Sequence, residues 1–290
     1  AGRTALVTGA NAGIGRAAAR GLAERGAAVL LHGRDRAELD AAAAEIGRGA
    51  EVPPRTVVAD FANLGDVARL ADAVAAAAPR LDLLVNNAGL VRDRYVVTDD
   101  GLELTFQVNH LAPFLLTLRL LGPLAAAGGA RVLTVASSAH ANQRALPLDQ
   151  LVRPGRYRVF EVYARSKACN ILFTRELARR VAGDDIAAYA VHPGVVATRF
   201  ARDGDTGGWL RGLVTLLRPL MRSPARGADG LLWLAGTEAP PPTGAYVADR
   251  EEREPAPYAR DPGTAAALWA LSEELVAGHL PSEGRHERAG

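Results

Sequence analysis

Tyr163 and Lys167 stand four residues apart in the string Tyr163-Ala164-Arg165-Ser166-Lys167. On a helix such positions lie about 40° from each other, so a phenol and an ammonium can face one site. A tyrosine with an unperturbed pKa near 10 is only about one part in a thousand ionised at neutral pH. Lowering it by about three units takes ~4 kcal/mol, which one positive charge about 4 Å away supplies at an effective dielectric of 20. The pair therefore suits proton transfer to or from a substrate oxygen. Lys167 is also the sole lysine among 34 basic residues, the other 33 being arginine.

Two hydroxyls, Ser137 and Ser138, follow the apolar run Val132-Leu133-Thr134-Val135 and Ala136. At a strand's carboxyl end such a hydroxyl can donate to a substrate carbonyl as charge develops on its oxygen. Asn109 falls in a predicted helix ahead of that strand, where its amide could hold a water linking Lys167 to bulk solvent. Other chemistries are excluded by spacing. Six histidines and one cysteine, Cys169, offer no metal-binding pattern, and no Gly-x-Ser-x-Gly string supplies a hydrolase nucleophile.

A second constellation suits a nucleotide. The first apolar run ends in Thr8-Gly9-Ala10-Asn11-Ala12-Gly13-Ile14-Gly15 and enters an alanine-rich segment. Glycines permit a tight turn and close approach of a phosphate to the backbone, and a helix N-terminus presents free N–H groups. The second run ends Leu31-His32-Gly33-Arg34, with glycine where an NAD-selecting acid is expected and arginine next to it, a fork suited to a 2′-phosphate. This favours NADP(H), with NAD(H) kept as the alternative. Asp60 and the string Asn86-Asn87-Ala88-Gly89 follow the third and fourth runs, where an open parallel sheet places its ligand.

The elements that must carry these residues alternate in type. Strands are predicted over 4–8, 28–32, 56–59, 81–86, 131–136, 187–192 and 245–248, and helices over 14–25, 36–46, 64–78, 102–121, 159–181, 225–235 and 264–276. Alternation of short apolar runs with alanine-rich segments predicts a single α/β domain, a Rossmann-type doubly wound parallel sheet of about seven strands. A segment at about 197–224, in which glycines and charges give way to Trp209, Leu210, Leu213, Leu217 and Met221, is expected to form an apolar substrate lid. The net charge of +2 is not gathered into basic blocks, so nucleic acid is not the expected partner. No apolar stretch approaches the roughly 20 residues of a bilayer span, no basic-then-apolar leader is read at the start, and one cysteine fits a reducing compartment. A cytoplasmic location is expected.

The ordered strings TGANAGIG, NNAG, Asn109, Ser138, YARSK and His192-Pro193-Gly194 resemble the motifs of the short-chain dehydrogenase/reductase family. The resemblance implies Tyr163 as proton donor or acceptor, Lys167 as its electrostatic partner and ribose ligand, Ser138 as carbonyl ligand, and Asn109 as holder of a relay water. It also implies cofactor contacts from Gly9, Asn11, Gly13, Ile14, Gly15, Arg34, Asp60, Phe61, Asn87, Ala88, Gly89, Pro193, Gly194, Val196 and Thr198. VNHLAPF around Asn109, SSAH at 137–140 and LWALSE near the end are similar to the retinol-dehydrogenase-like branch. Ala112-Pro113 departs from that branch's glycine-histidine, which argues against a retinoid substrate.

The function expected is an NADP(H)-dependent ketoreductase or alcohol dehydrogenase acting on a hydrophobic small molecule, a class that includes secondary metabolites. By resemblance the protein forms a homodimer or homotetramer through the tyrosine-bearing helix. Two alternatives use the same scaffold. A non-enzymatic NADP(H)-sensing regulator would be expected to lack the tyrosine or lysine, and a sugar-nucleotide epimerase or dehydratase would need a longer C-terminal part.

Overall fold

The computed structural model describes residues 2–196 and 222–281. The apolar runs become strands because each can be buried on both faces of one sheet. In β1 (Thr4–Val7), Ala5 and Val7 enter one core and Leu6 the other, and in β4 (Leu83–Asn86) Leu83 and Val85 join the first while Leu84 joins the second. With β2 (Ala28–Gly33), β3 (Arg55–Val58), β5 (Ala130–Val135), β6 (Ile186–His192) and β7 (Tyr246–Ala248), they form a parallel array in the order β3-β2-β1-β4-β5-β6-β7. The chain's direction of travel across the sheet reverses between β1 and β4, which opens a crevice at the strands' carboxyl ends.

The helices are, in chain order, α1 (Gly13–Ala23), α2 (Arg36–Gly47), α3 (Leu64–Ala77), α4 (Leu104–Phe106), α5 (Ala112–Arg119), α6 (Leu121–Ala127), α7 (Asp149–Val152), α8 (Val159–Arg180), α9 (Pro224–Gly236) and α10 (Pro262–Val276). One face of the sheet is covered by α1 and α9 through Ile14, Ala18, Leu22, Ala228, Leu231 and Leu234. The other is covered chiefly by α3, α5, α8 and α10, where Phe114, Phe173 and Trp269 pack as a ring cluster. No single helix among the described residues is long and apolar enough to cross a membrane.

Two expectations differ from what is observed, and a third falls outside the described residues. The sheet has eight strands, because β8 (Glu251–Arg253) adds antiparallel to β7. The joining residues Asp249 and Arg250 both have positive φ, 54° and 63°, as a two-residue hairpin turn of matching twist requires. Glu251, Glu252 and Arg253 are all exposed, so no apolar pattern marked them as a strand. The helix expected over 102–121 is broken. Ala112 N–H returns to Gln107 O, five residues back, in a π turn over Gln107–Leu111. Pro113 lacks the N–H that an α-helix would return to Asn109 O, so the regular ladder cannot run through this point. Of the lid expected at 197–224, residues 197–221, with Trp209, Leu210, Leu213, Leu217 and Met221, lie outside the described residues.

Candidate active site

The turn after β1 is shaped for an anion. Gly9 and Gly13 adopt φ of +64° and +57°, which side chains disfavour. A Cβ on Gly15 would run into the Gly9 carbonyl and lie 2.5 Å from Asn87 Nδ2, so that position admits glycine alone. The N-terminus of α1 has Ala12 as its cap, with no side-chain cap bond and no acid in the first turn. Its N–H groups and partial positive charge are thus unopposed by its own cap or first turn, which fits a diphosphate. Thr8 fastens this turn to the next one. Its Oγ1 accepts from Asn87 N at 2.9 Å and Ala88 N at 3.0 Å, while Asn87 Nδ2 donates to Thr8 O at 2.8 Å. No role was given to Thr8 from the sequence, because a hydroxyl at a strand end carries no partner information.

The other nucleotide candidates ring the same crevice. At the last residue of β2, a Cβ on Gly33 would meet Asn11 Oδ1 at 3.4 Å, and Asn11 donates to Glu38 at 2.7 Å. Arg34 is exposed at that strand's end, and the neighbouring Asp35 carboxylate is committed to capping α2, accepting Glu38 N at 2.9 Å. Asp60 is exposed beyond β3 and accepts Ala62 N at 2.9 Å. The Phe61 ring is buried and stacked on His32, with centroids 4.4 Å apart. Gly89 lies between the catalytic candidates, since a Cβ there would sit 3.1 Å from Asn109 Oδ1 and 3.6 Å from Lys167 Nζ. After β6, Pro193 precedes Gly194, whose φ is +80° and whose Cα is covered by the Arg222 side chain. Gly227 faces both Val196 and Ile14, which brings the loop after β6 against the start of α1. Thr198 lies outside the described residues.

Tyr163 and Lys167 project from α8 toward the carboxyl end of β5, with Lys167 Nζ 5.8 Å from the Tyr163 ring centre. Lys167 is 3% exposed and donates to Val135 O at 3.0 Å. Burial pulls its pKa down to about 8. Burial also pushes the Tyr163 phenol up to about 12, against a smaller opposing effect of a hydrogen bond from Ser137. The expectation that the lysine dominates the phenol is therefore corrected: desolvation wins, and Tyr163 is a protonated group at neutral pH.

The hydroxyl at Tyr163 is that of Ser137, not Ser138. Ser137 is the last extended residue after β5, and its Oγ accepts Ala139 N at 3.2 Å, leaving its own hydrogen to be donated. Ser138 begins a 3-10 turn (Ser138–Asn142), is exposed, and its N–H is held by His192 Nδ1 at 3.3 Å. Adjacent serines are indistinguishable by spacing, so only the turn geometry separates them.

Asn109 sits at the centre of the π turn, fully buried. Its side-chain amide is already committed: Oδ1 accepts Leu90 N at 2.7 Å, and Nδ2 donates to Leu90 O and Ser166 Oγ, each at 3.0 Å. A relay water would therefore meet its main-chain carbonyl, which Pro113 leaves without an α-helical donor. Asn170, one turn beyond Lys167 and not anticipated, donates to the same Val135 carbonyl at 3.0 Å.

The short chain dehydrogenase family model matches residues 3–207. The chain is 37% identical to human retinol dehydrogenase 14 over 95% of this chain and 86% of that protein. It is 40% identical, over 95% of this chain and 93% of the other, to a protein of Streptomyces sp. (strain C5) whose name proposes a daunorubicin C-13 ketoreductase. A Burkholderia cenocepacia short chain dehydrogenase, solved in complex with NADP, superposes with a TM-score of 0.68 at 27% identity, over 85% of this chain and 96% of that one. The chain belongs to the short-chain dehydrogenase/reductase family of nicotinamide-dependent oxidoreductases, in its retinol-dehydrogenase-like branch.

Proposed function

We propose that this protein interconverts a carbonyl and an alcohol on a hydrophobic small molecule with NADP(H). The observation that carries the reading is the Tyr163 phenol beside Ser137 at the sheet's carboxyl edge, with buried Lys167 Nζ 5.8 Å from its ring centre. The carbonyl oxygen accepts from Ser137 Oγ and Tyr163 Oη. A reduced nicotinamide, when bound, would supply the hydride that the carbonyl carbon takes up. As negative charge grows on the oxygen, Tyr163 gives up its proton to it, and the phenolate left behind is stabilised by the Ser137 hydroxyl and the Lys167 ammonium. Solvent refills the proton through Lys167 and a water on the Asn109 carbonyl.

Gly9, Gly13, Gly15 and the N-terminus of α1 would hold the diphosphate, and Asn87, Ala88 and Gly89 would line the ribose side with Lys167. Arg34 would pair with a 2′-phosphate, a role supported by its exposed place at the end of β2 next to Gly33. The NADP complex of the Burkholderia relative supports the same choice. An apolar substrate is supported by Phe160, 58% exposed one turn before Tyr163, by Val195, 62% exposed after β6, and by the ketoreductase name of the Streptomyces relative.

The test is NADPH consumption with a panel of alkyl and aryl ketones and aldehydes. Tyr163→Phe should lower kcat by about 10²–10⁴ while NADPH still raises the melting temperature. Turnover retained by Tyr163→Phe refutes the mechanism. A thermal shift larger with NADPH than with NADH, and lost in Arg34→Ala, is the expected cofactor result, and equal shifts in the wild type refute that choice.

A further inference from the structure

We propose that His140 is a positioning residue that aims the Ser137 hydroxyl by tying its loop to the C-terminal segment. This rests on the reading of Ser137 and Tyr163 as the carbonyl-facing pair. His140 is 3% exposed. Its Nδ1 lies 2.7 Å from Ser137 O, and Ala256 N–H points at its Nε2 from 3.1 Å. A backbone N–H can only donate, so Nε2 is the acceptor and Nδ1 carries the hydrogen, which it donates to Ser137 O. Both ring nitrogens are thereby assigned opposite roles, and the ring is held neutral in the Nδ1–H tautomer.

The same residue is held at two further points. Its carbonyl accepts from Tyr258 Oη at 2.7 Å, and its ring packs edge-on against Tyr246 of β7 at 5.2 Å. Where the 3-10 turn begins, its own bond is long, the His140 N–H reaching Ser137 O only at 3.4 Å, against 3.1 Å for Gln143 N–H to His140 O at its end. The Ser137 peptide plane is thus set by residues more than 100 positions away. That plane matters because Ser137 Oγ is oriented by Ala139 N within the same turn. A small rotation there moves the hydroxyl away from Tyr163 without touching the nucleotide crevice.

Three measurements test this, with Tyr163→Phe as the control for the underlying reading. In wild-type protein labelled with ¹⁵N-histidine, His140 should show the Nδ1–H tautomer; the Nε2–H tautomer overturns the proposal. His140→Phe keeps the ring packing and loses both bonds. It should lower kcat by about tenfold or more while the Kd for NADPH stays within about twofold. His140→Asn, whose amide can still donate to Ser137 O, should recover most of that kcat. A His140→Phe enzyme with wild-type kcat, or an Asn variant no better than Phe, overturns the proposal. Should His140→Phe fail to fold, the Asn variant against wild type and the tautomer decide. If Tyr163→Phe itself turns over, the mechanistic reading has failed; if Tyr163→Phe is dead and His140→Phe is fully active, His140 alone has been misassigned.

Discussion

Lys167 should titrate far below the ordinary lysine range, and as the chain's sole lysine it can be watched alone. Protein labelled with ¹³Cε,¹⁵Nζ-lysine gives one side-chain signal to follow from about pH 6 to pH 11. Burial, with the Val135 carbonyl as a neutral acceptor, takes the pKa from 10.5 to about 8. At about 1.4 kcal/mol per unit, a drop of about 2.5 units means the charged side chain costs the fold roughly 3 kcal/mol. The cost is fully present below about pH 8, where folded and unfolded chains both hold the proton. Between 8 and 10.5 the unfolded chain binds more protons than the folded one, so stability from this site rises with pH. Cys169, whose ordinary value of 9.0 is raised by burial, acts oppositely above 9, and Tyr163 does so above 10. The window from 8 to 9 thus belongs to the lysine. Lys167→Met should be the more stable protein in urea at pH 7, with an advantage that shrinks as pH passes 8. An NMR midpoint at or above 10, or a stability gap independent of pH across this window, would refute the reasoning.

Ser137→Ala should lower kcat by about 10²–10³, as loss of a donor to a developing oxyanion does. Ser138→Ala should stay within about twofold, since that side chain is exposed and only its backbone is engaged; the reverse ranking in steady-state kinetics would restore Ser138. Gly15→Ala should abolish the NADPH-induced thermal shift, because its Cβ would collide with the Gly9 carbonyl. Gly122→Ala, in open space on α6, is the control and should gain stability by about 0.5–1 kcal/mol.

Much of the site was legible because its chemistry is local. Glycine after the first strand, the tyrosine-lysine interval of four and the asparagine-rich turn after β4 each impose their geometry within one turn of chain. The parallel order followed from the same source: runs buried on both faces, separated by amphipathic helices, leave few arrangements. What was not legible depends on partners distant in sequence. Glu251–Arg253 is a strand only because β7 lies beside it to pair with, and nothing in its own charged residues asks for one.

Residue types and spacing by themselves determined the family of the chain, the alternation of its elements and the identity of the phenol and ammonium. Tertiary structure decided everything that turns on direction and solvent. Which of two adjacent serines meets Tyr163 depends on where a 3-10 turn begins, and that turn is held by Ala256 and Tyr258. Whether Asn109 offers its amide or its carbonyl depends on Leu90 and Ser166 occupying the amide. Whether the lysine or desolvation rules the phenol depends on burial, which spacing does not encode, and burial takes the phenol up to about 12. The physical reason is common to all three: a side chain's type is local, but its hydrogen-bond partners and its distance from water belong to the whole fold.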